Sequence, residues 1–337
     1  MKRIKVGLNG FGRIGRAVTR IASCRNTFEI VAINTRKTPP KMMAYLLQYD
    51  SVYRRFGKQV RSEDNALFID DRKITCLQTA DINEIPWDQY GVDVVIDATG
   101  AYITKEDLQN HIKGSVKKVI LTAPSKDDVT PHVVLGVNDN GFDFANETVI
   151  SNASCTTNCS SPLFKVLQDN FNVVSGFLTT VHAYTQTQSL HDDAGKDIER
   201  SRSAPQNIVP STTGAAKAIV KTIPELQGKI DGMAMRVPVP VGSFTDISAI
   251  VERQVSKEEI NEAFLRASNE HMKGILKYET EILVSSDYIG NPYSCTFDAN
   301  YTKVVNGNLV KVFGWYDNEW GYSNRVVDLT ERISDFV

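Results

Sequence analysis

One cysteine of this chain stands where a thiol can act as a nucleophile. Cys155 lies in the run SCTTNC (154–159), between a strand pattern that reads TVISNA and a helical pattern over 156–171. Free N–H groups and the dipole at a helix N-terminus stabilise a thiolate, which is the nucleophilic form of cysteine. The junction therefore predicts a covalent catalyst at Cys155. Cys159, one helical turn further on, is expected to be a packed core residue.

A catalytic thiol needs a base, and the chain has five histidines. His182 leaves the strand pattern GFLTTV and enters AYTQTQ, so that hydroxyl groups flank it. A lone strand histidine is usually structural, but a Cys–His pair is a recurring way to activate a thiol. We predict that His182 is the base for Cys155. The other histidines lie in a polar helical segment, beside a proline, before two aspartates and at a helix end: His111, His132, His191 and His271.

A glycine-rich loop near the N-terminus predicts a dinucleotide site. The run Gly10-Phe11-Gly12-Arg13-Ile14-Gly15 matches G-x-G-x-x-G, follows a strand pattern and opens a helical one. The pattern alone is weak, but this context supports it, because the glycines let the backbone approach a pyrophosphate at the helix N-terminus. A plain tight turn is the alternative, and dinucleotide binding is favoured over it.

The end of the second strand pattern carries information about the cofactor. NAD-binding loops usually place an acidic residue here to bind the adenosine ribose, and this chain has Thr35, followed by Arg36 and Lys37. Without the carboxylate a 2′-phosphate is not repelled, and the two cations can bind it. We therefore favour NADP, or use of both cofactors. The alternative is a solvated loop in an enzyme that uses NAD.

Composition excludes several classes of protein. The 337 residues include 38 basic and 40 acidic side chains, so the net charge of −2 disfavours nucleic-acid binding as the main role. No apolar run approaches the roughly 20 residues that a membrane span needs, and MKRIKVGLNG does not resemble a signal peptide. Five scattered cysteines fit neither a disulfide framework nor a metal site. We expect no metal and a reducing, cytoplasmic setting.

The order of the patterns predicts an α/β chain with two domains. Up to residue 154 strand and helix patterns alternate, and continuous apolar strands suit a Rossmann-like parallel sheet. Residues 155–317 contain long β-rich stretches with few helices, which predicts an α+β catalytic domain with a mostly antiparallel sheet. The tail 318–337 has helical spacing and is expected to complete the first domain. Ser256 and Glu259 predict a capping box at the start of one helix.

Taken together, GFGRIG, SNASCTTNC, TTVHAYT, TTGAAKA, MRVPVP and WYDNEWGYSNRV closely resemble phosphorylating glyceraldehyde-3-phosphate dehydrogenases. The resemblance runs from about residue 3 to 333, in order and at the right spacings. It implies that Cys155 adds to the aldehyde, that His182 takes the proton, and that inorganic phosphate releases a thioester as 1,3-bisphosphoglycerate. It also implies a homotetramer, in which the segment 182–202 completes the cofactor site of a neighbouring subunit.

The resemblance further implies three groups of binding residues. The substrate phosphate is expected at Thr185 and Arg236, and inorganic phosphate at Ser154, Thr156, Arg200, Thr213 and Gly214. The cofactor is expected at Gly10, Gly12, Arg13, Ile14, Gly15, Asn34, Thr35, Arg36, Thr99, Thr122 and Asn318, where Asn318 would hold the nicotinamide carboxamide. From the residues alone, the two arginines are equally compatible with surface ion pairs.

Some positions depart from the family pattern, and two other functions stay open. Besides Thr35, the departures are the segment 191–194, which replaces a pattern with Leu-Pro, Glu199 in place of arginine, and Val241-Gly242 after MRVPVP. None removes a chemical group from the mechanism. An erythrose-4-phosphate dehydrogenase shares the Cys–His core, and a mainly binding or adhesive protein would carry a degenerate site. The intact HAYT and TTGAAKA motifs oppose the first, and the intact catalytic residues oppose the second.

Overall fold

The computed structural model of the protein describes residues 3–195 and 197–337, which form two compact units. Unit 1 comprises 3–133, 141–153 and 323–337, and unit 2 comprises 134–140, 154–195 and 197–322. The chain enters unit 2 briefly at 134–140 and again at Ser154. The second boundary directly precedes Cys155. No helix in the described part of the chain is long and apolar enough to cross a membrane.

Unit 1 is built on an eight-stranded sheet whose central strands are short, apolar and buried. Its ten strands, including a separate two-stranded ribbon of β3 and β4, are β1 (Lys5–Asn9), β2 (Glu29–Asn34), β3 (Tyr49–Asp50), β4 (Arg54–Arg55), β5 (Val60–Glu63), β6 (Ala66–Ile69), β7 (Arg72–Leu77), β8 (Val94–Asp97), β9 (Lys118–Leu121) and β10 (Val149–Ser151). The sheet order is β10-β9-β8-β1-β2-β7-β6-β5, parallel from β10 to β7 and antiparallel beyond. The predicted Rossmann-like sheet is confirmed.

The helices of this part of the chain follow the local signals. They are α1 (Arg13–Arg25), α2 (Pro40–Gln48) and α3 (Lys105–Leu108). α2 begins with proline in its first turn, where the missing N–H costs nothing. The tail forms α7 (Trp320–Ile333), and its later residues are held to α1 within unit 1: Arg25 pairs with Asp328, and the Arg25 NH2 group donates to Asn324 at 2.6 Å.

A polar network with a fully buried centre lies at the carboxyl ends of β1, β2 and β8. The Asp97 carboxylate is 0% exposed and accepts from Asn9 Nδ2 at 2.8 Å and from the Thr99 hydroxyl at 2.6 Å. His111 Nε2 lies 3.1 Å from the same carboxylate, and Trp87 Nε1 donates to His111 Nδ1 at 3.0 Å. His111, which the sequence places in a polar helical segment, is thus a core residue, because tryptophan and aspartate satisfy both ring nitrogens.

Unit 2 is built on a second sheet that is mostly antiparallel, as predicted. Its strands are β11 (Val173–Ala183), β12 (Val209–Thr212), β13 (Ile230–Val237), β14 (Ser243–Val251), β15 (Leu276–Glu279), β16 (Cys295–Asp298), β17 (Lys303–Val305) and β18 (Leu309–Tyr316). The order is β12-β13-β11-β14-β18-β16-β15, with β17 paired to β18. The pairs β11–β13 and β15–β16 are parallel and the other pairs antiparallel.

Three helices complete unit 2: α4 (Cys155–Phe171), α5 (Ala215–Thr222) and α6 (Lys257–Asn269). α4 is the central one, because Leu163, Phe164 and Leu167 are fully buried in the core that this unit forms. That burial anchors the helix and therefore its N-terminus. The predicted capping box at the start of α6 is confirmed, since Ser256 and Glu259 each bond the backbone of the other.

We predict that Asp97→Ala lowers the free energy of unfolding by about 3 kcal/mol, because it leaves several buried donors without an acceptor. Denaturant unfolding followed by tryptophan fluorescence measures this. Glu63→Ala is the matched control: Glu63 pairs with Arg61 in the same unit but both side chains are solvent-exposed, so its loss should change little. Equal stability of the two variants would contradict the role given to the network.

Candidate active site

The predicted strand-to-helix junction is present, and it places Cys155 at the first position of α4. Ser154 is the N-cap residue: its backbone is extended and its hydroxyl oxygen accepts from the Thr157 N–H at 3.0 Å. This bond explains why the helix starts here, since serine satisfies one of the otherwise unpaired N–H groups. Cys155 is half-buried, whereas Cys159 is fully buried, as expected for a packed residue.

His182 lies near the end of β11 and reaches the cysteine. Its Nε2 atom is 3.4 Å from Cys155 Sγ, and the residue is 5% exposed. Burial, followed by the positive charge of Arg236, lowers the pKa of His182 to about 3, so the imidazole is neutral at physiological pH. A neutral imidazole within reach of a thiol is the arrangement that general-base catalysis requires.

Arg236 belongs to the same cluster because of strand register. β13 runs parallel to β11, and Arg236 is the direct register partner of His182. Its NH1 group lies 2.6 Å from His182 Nδ1 and 3.1 Å from the Ala183 carbonyl oxygen. Its Nε atom is buried and has no hydrogen-bond partner among the described residues. The guanidinium therefore has a donor to spare for an anion.

The electrostatics of Cys155 differ from the expectation for a helix N-terminus. Burial raises the pKa of the thiol to about 11, although Arg236 and the Thr156 N–H and hydroxyl lower it in part. Desolvation of the thiolate thus exceeds the stabilisation by these groups. The thiol consequently depends on proton transfer to a base, such as His182, at the moment of attack.

Sequence reasoning missed Tyr316, which supports both sides of the site. Its hydroxyl is 3.0 Å from Thr156 Oγ1 and 2.8 Å from Thr180 Oγ1, and its ring meets His182 edge-on at 6.0 Å. Tyr316 therefore links the start of α4 to the end of β11. Its position inside the motif WYDNEW was the available signal.

The remaining residues expected at phosphate sites lie on neighbouring segments of unit 2. Arg200 donates to Ser211 on β12 at 2.8 Å, and β12 pairs with the strand that carries Arg236. Thr213 and Gly214 precede α5, and the Thr213 hydroxyl accepts from the Ala215 N–H at 3.1 Å. Thr185 lies after β11, its hydroxyl 2.9 Å from that of Thr187. No cluster of metal ligands occurs in the ranges 3–195 and 197–337.

Asn318 has a defined side-chain orientation. Its Oδ1 atom accepts from the Gly242 N–H at 3.2 Å and from the Ser243 hydroxyl at 3.0 Å. The amide NH2 group is therefore the part left to bind a ligand. Gly242 has a φ of 97°, a left-handed conformation that suits glycine, so the departure from the family pattern at this position has a structural use.

In unit 1 the glycine loop is suited to a phosphate group. Gly10 has a φ of 98°, and a Cβ there would lie 2.7 Å from the Ala98 carbonyl, so a side chain does not fit. A Cβ at Gly15 would lie 2.3 Å from the Gly10 oxygen, whereas nothing stands within 4 Å of one at Gly12. α1 starts with neither a capping side chain nor an acidic residue in its first turn. The Arg13 side chain is paired with Asp50, so this position offers its backbone.

Several residues expected at the cofactor have side chains that bond the protein instead. Asn34 donates to Asn9 and exchanges hydrogen bonds with the Thr79 backbone, and Thr99 donates to Asp97. The Thr35 hydroxyl donates to the Thr38 carbonyl at 3.2 Å, and Arg36 is exposed. Asn34 and Thr35 are buried and Thr99 is exposed, and the bonds of these three side chains fix the ends of β2 and β8. Ile14 and Thr122 are half-buried.

A Rossmann-type unit in one chain with a Cys–His–Arg unit defines the class of nicotinamide-dependent dehydrogenases that oxidise aldehydes through a cysteine. Residues 4–105 match the glyceraldehyde 3-phosphate dehydrogenase NAD binding domain, and residues 154–318 match the C-terminal domain of that family. The chain is 49% identical to a glyceraldehyde-3-phosphate dehydrogenase of Streptomyces coelicolor, over 98% of this chain and 99% of the relative. It is 45% identical to glyceraldehyde-3-phosphate dehydrogenase 2 of Bacillus subtilis, over 98% and 97%.

The chain therefore belongs to the glyceraldehyde-3-phosphate dehydrogenase family.

We predict that Arg236→Leu slows alkylation of Cys155 by iodoacetamide about tenfold at mildly alkaline pH, because losing the nearby cation raises the pKa of the thiol. Both proteins in this comparison carry His182→Asn, so that no imidazole acts as a base for the thiol. Cys24 is exposed and would also react, so both proteins carry Cys24→Ser. Arg236→Lys, which keeps the charge, should retain most of the rate. An unchanged rate in Arg236→Leu would show that Arg236 does not act on the thiol.

Proposed function

We propose that this protein oxidises glyceraldehyde 3-phosphate with inorganic phosphate and a nicotinamide cofactor to 1,3-bisphosphoglycerate, reversibly, through a thioester on Cys155. One observation carries the proposal: the Cys155 sulfur, 3.4 Å from His182 Nε2, belongs to a cluster with a half-buried arginine that has a spare donor. The family membership of the chain supports the same reaction.

In the first step, the Cys155 sulfur attacks the aldehyde carbon while His182 Nε2 takes the thiol proton. Because the raised thiol pKa leaves little resident thiolate, this transfer accompanies the attack. The imidazolium then returns the proton to the former carbonyl oxygen, which gives a neutral hemithioacetal and a neutral imidazole. His182 then removes the proton of the hemithioacetal hydroxyl as the carbon loses hydride. When bound, the nicotinamide ring accepts that hydride, and Asn318 offers its amide NH2 to the carboxamide of the ring.

Inorganic phosphate completes the reaction, since its oxygen attacks the thioester carbon as the carbon–sulfur bond breaks. The imidazolium of His182 returns its proton to the Cys155 sulfur, and the proton of the phosphate goes to water. Both phosphate groups need hydroxyls and a guanidinium, which the chain offers twice. We assign Arg236 and Thr185 to the substrate phosphate. We assign the inorganic phosphate to Arg200, Thr213, the backbone of Gly214 and the hydroxyls at the start of α4, which are Ser154 and Thr156.

The direct test is to mix the protein with glyceraldehyde 3-phosphate, phosphate and each cofactor, and to follow the absorbance of the reduced nicotinamide. We expect turnover in the wild type and none in Cys155→Ser. Cys24→Ser should keep the activity, since Cys24 is exposed at the C-terminal end of α1 in unit 1. Erythrose 4-phosphate serves as the comparison aldehyde and should be the poorer substrate. Absence of turnover with both cofactors would refute the proposal.

For the cofactor, we propose NADP, or dual use of NADP and NAD. Thr35 replaces the usual acidic residue, and its hydroxyl is turned to the Thr38 carbonyl, so no negative charge stands at the end of β2. Arg36 and Lys37 follow directly and are exposed, which leaves two cations for a 2′-phosphate. The Asp193 carboxylate, in a segment that departs from the family pattern, is the feature that opposes NADP. A negative charge near the 2′-phosphate would repel it.

We predict that Thr35→Asp lowers kcat/KM for NADP at least about tenfold, because a carboxylate near a 2′-phosphate costs more than 1.4 kcal/mol at short range. The same variant should keep or improve its use of NAD. Steady-state kinetics with each cofactor measure the ratio, and Thr38→Ser is the control in the same loop. Unchanged NADP kinetics in Thr35→Asp would contradict the role of this position.

We further propose a homotetramer in the reducing cytoplasm. Exposed apolar side chains on adjoining strands support an assembly, because Ile250 and Val305 both pair with Leu309 and all three are exposed. Ile198, in the segment expected to reach a neighbouring subunit, is 88% exposed. All five cysteines are unpaired, which suits a compartment that keeps a catalytic thiol reduced.

A further inference from the structure

His182 Nδ1 faces two groups with opposite demands. Arg236 NH1, at 2.6 Å, can only donate a hydrogen bond, and the Ala183 carbonyl oxygen, at 2.7 Å, can only accept one. In a neutral imidazole each ring nitrogen either carries the hydrogen or presents a lone pair. Nδ1 therefore satisfies one of these neighbours at a time, and the choice decides what Nε2 offers to Cys155.

In the geometry of this structure the arginine decides the tautomer. A hydrogen bond from a charged donor is stronger than one between neutral groups, and Arg236 NH1 also supplies the Ala183 oxygen with a donor at 3.1 Å. Nδ1 is then the acceptor and Nε2 carries the hydrogen, which points to Cys155 Sγ at 3.4 Å. In this tautomer His182 donates to the sulfur and does not accept the thiol proton.

No other charged group bonded to the ring competes with Arg236 in the described part of the chain. Tyr316 presents the edge of its ring to the imidazole, and its hydroxyl lies within hydrogen-bond distance of Thr156 and Thr180. Arg200 acts on Arg236 only through its charge and is hydrogen-bonded to Ser211. The tautomer of His182 therefore depends on where the Arg236 guanidinium directs its donors.

We infer that Arg236 sets the tautomer of His182, so that a phosphate group that binds Arg236 converts His182 from a donor toward Cys155 into its base. The inference rests on the proposed function, which assigns the substrate phosphate to Arg236. Nε of Arg236 has no partner in the described residues, so a phosphate dianion can take two guanidinium donors and draw NH1 from Nδ1. Nδ1 then gains a proton from water and donates to Ala183, while Nε2 loses one to water.

The arrangement makes the phosphate of the substrate part of the chemistry as well as of binding. An aldehyde without the phosphate leaves the imidazole in the tautomer that cannot take the thiol proton. Discrimination between phosphorylated and plain aldehydes is then expressed in the rate of the chemical step, where binding energy has the greatest effect on catalysis. Arg236 is thus a specificity-determining residue that acts through His182.

The test is the protonation of the His182 nitrogens, read by nitrogen-15 NMR of histidine-labelled, cofactor-free protein in the sedimented solid state. His182→Asn identifies the signals among the five histidines. Free protein should show a protonated Nε2 and a bare Nδ1. Glycerol 3-phosphate, which has the phosphate but no aldehyde, should reverse the two and shift the tautomer equilibrium about tenfold or more, as expected for the loss of a charge-assisted bond.

Variants separate this idea from a simple anion-binding role. Arg236→Leu should show the reversed tautomer without any ligand, whereas Arg236→Lys and Arg200→Leu should match the wild type. Calorimetric titration with glycerol 3-phosphate shows whether the phosphate binds. Binding without a change of tautomer, or a bare Nε2 in the free wild type, would overturn the inference and leave the proposed function intact. Failure of the aldehyde assay would overturn the proposed function itself.

Discussion

The chemistry of unit 2 depends on the parallel register between β11 and β13, which sets His182 directly beside Arg236. Neighbouring strands lie about 5 Å apart, so partners in register are forced into contact whatever their charges. A half-buried cation next to a buried imidazole would be costly if both were charged, and the imidazole is kept neutral by burial and by that cation. Backbone hydrogen bonds between the two strands fix the positions of His182 and Arg236. The cluster then needs only Cys155 from another element.

That other element is α4, and its position is set by packing far from the thiol. Leu163 and Phe164 are fully buried in the core of the unit, which holds the helix while Ser154 caps its first turn. Tyr316 then joins the helix start to β11 through two hydroxyl contacts. The separation of 3.4 Å between Cys155 Sγ and His182 Nε2 therefore follows from core packing and from a polar bridge together.

Local patterns in the sequence predicted the parts of the site that depend on local structure. The cysteine at a helix start, the glycine loop before α1 and the capping box of α6 each follow from residues within a few positions of one another. The contacts of Arg236 and the burial of His111 could not be predicted this way, because they depend on strand register and on packing between distant segments. Desolvation also depends on the fold. The raised pKa of Cys155 could therefore not be predicted from the charges near it in the sequence.

Amides in both units are held by protein partners, and this bears on the cofactor choice that we propose. Asn34 is bonded to Asn9 and to the Thr79 backbone, and Asn318 is bonded through its oxygen to Gly242 and Ser243. In the proposed function, groups fixed in this way would recognise the features that NAD and NADP share, because reorienting them would leave buried donors or acceptors unpaired. The proposed preference for NADP would then depend on side chains free to reorient, such as the exposed cations after β2.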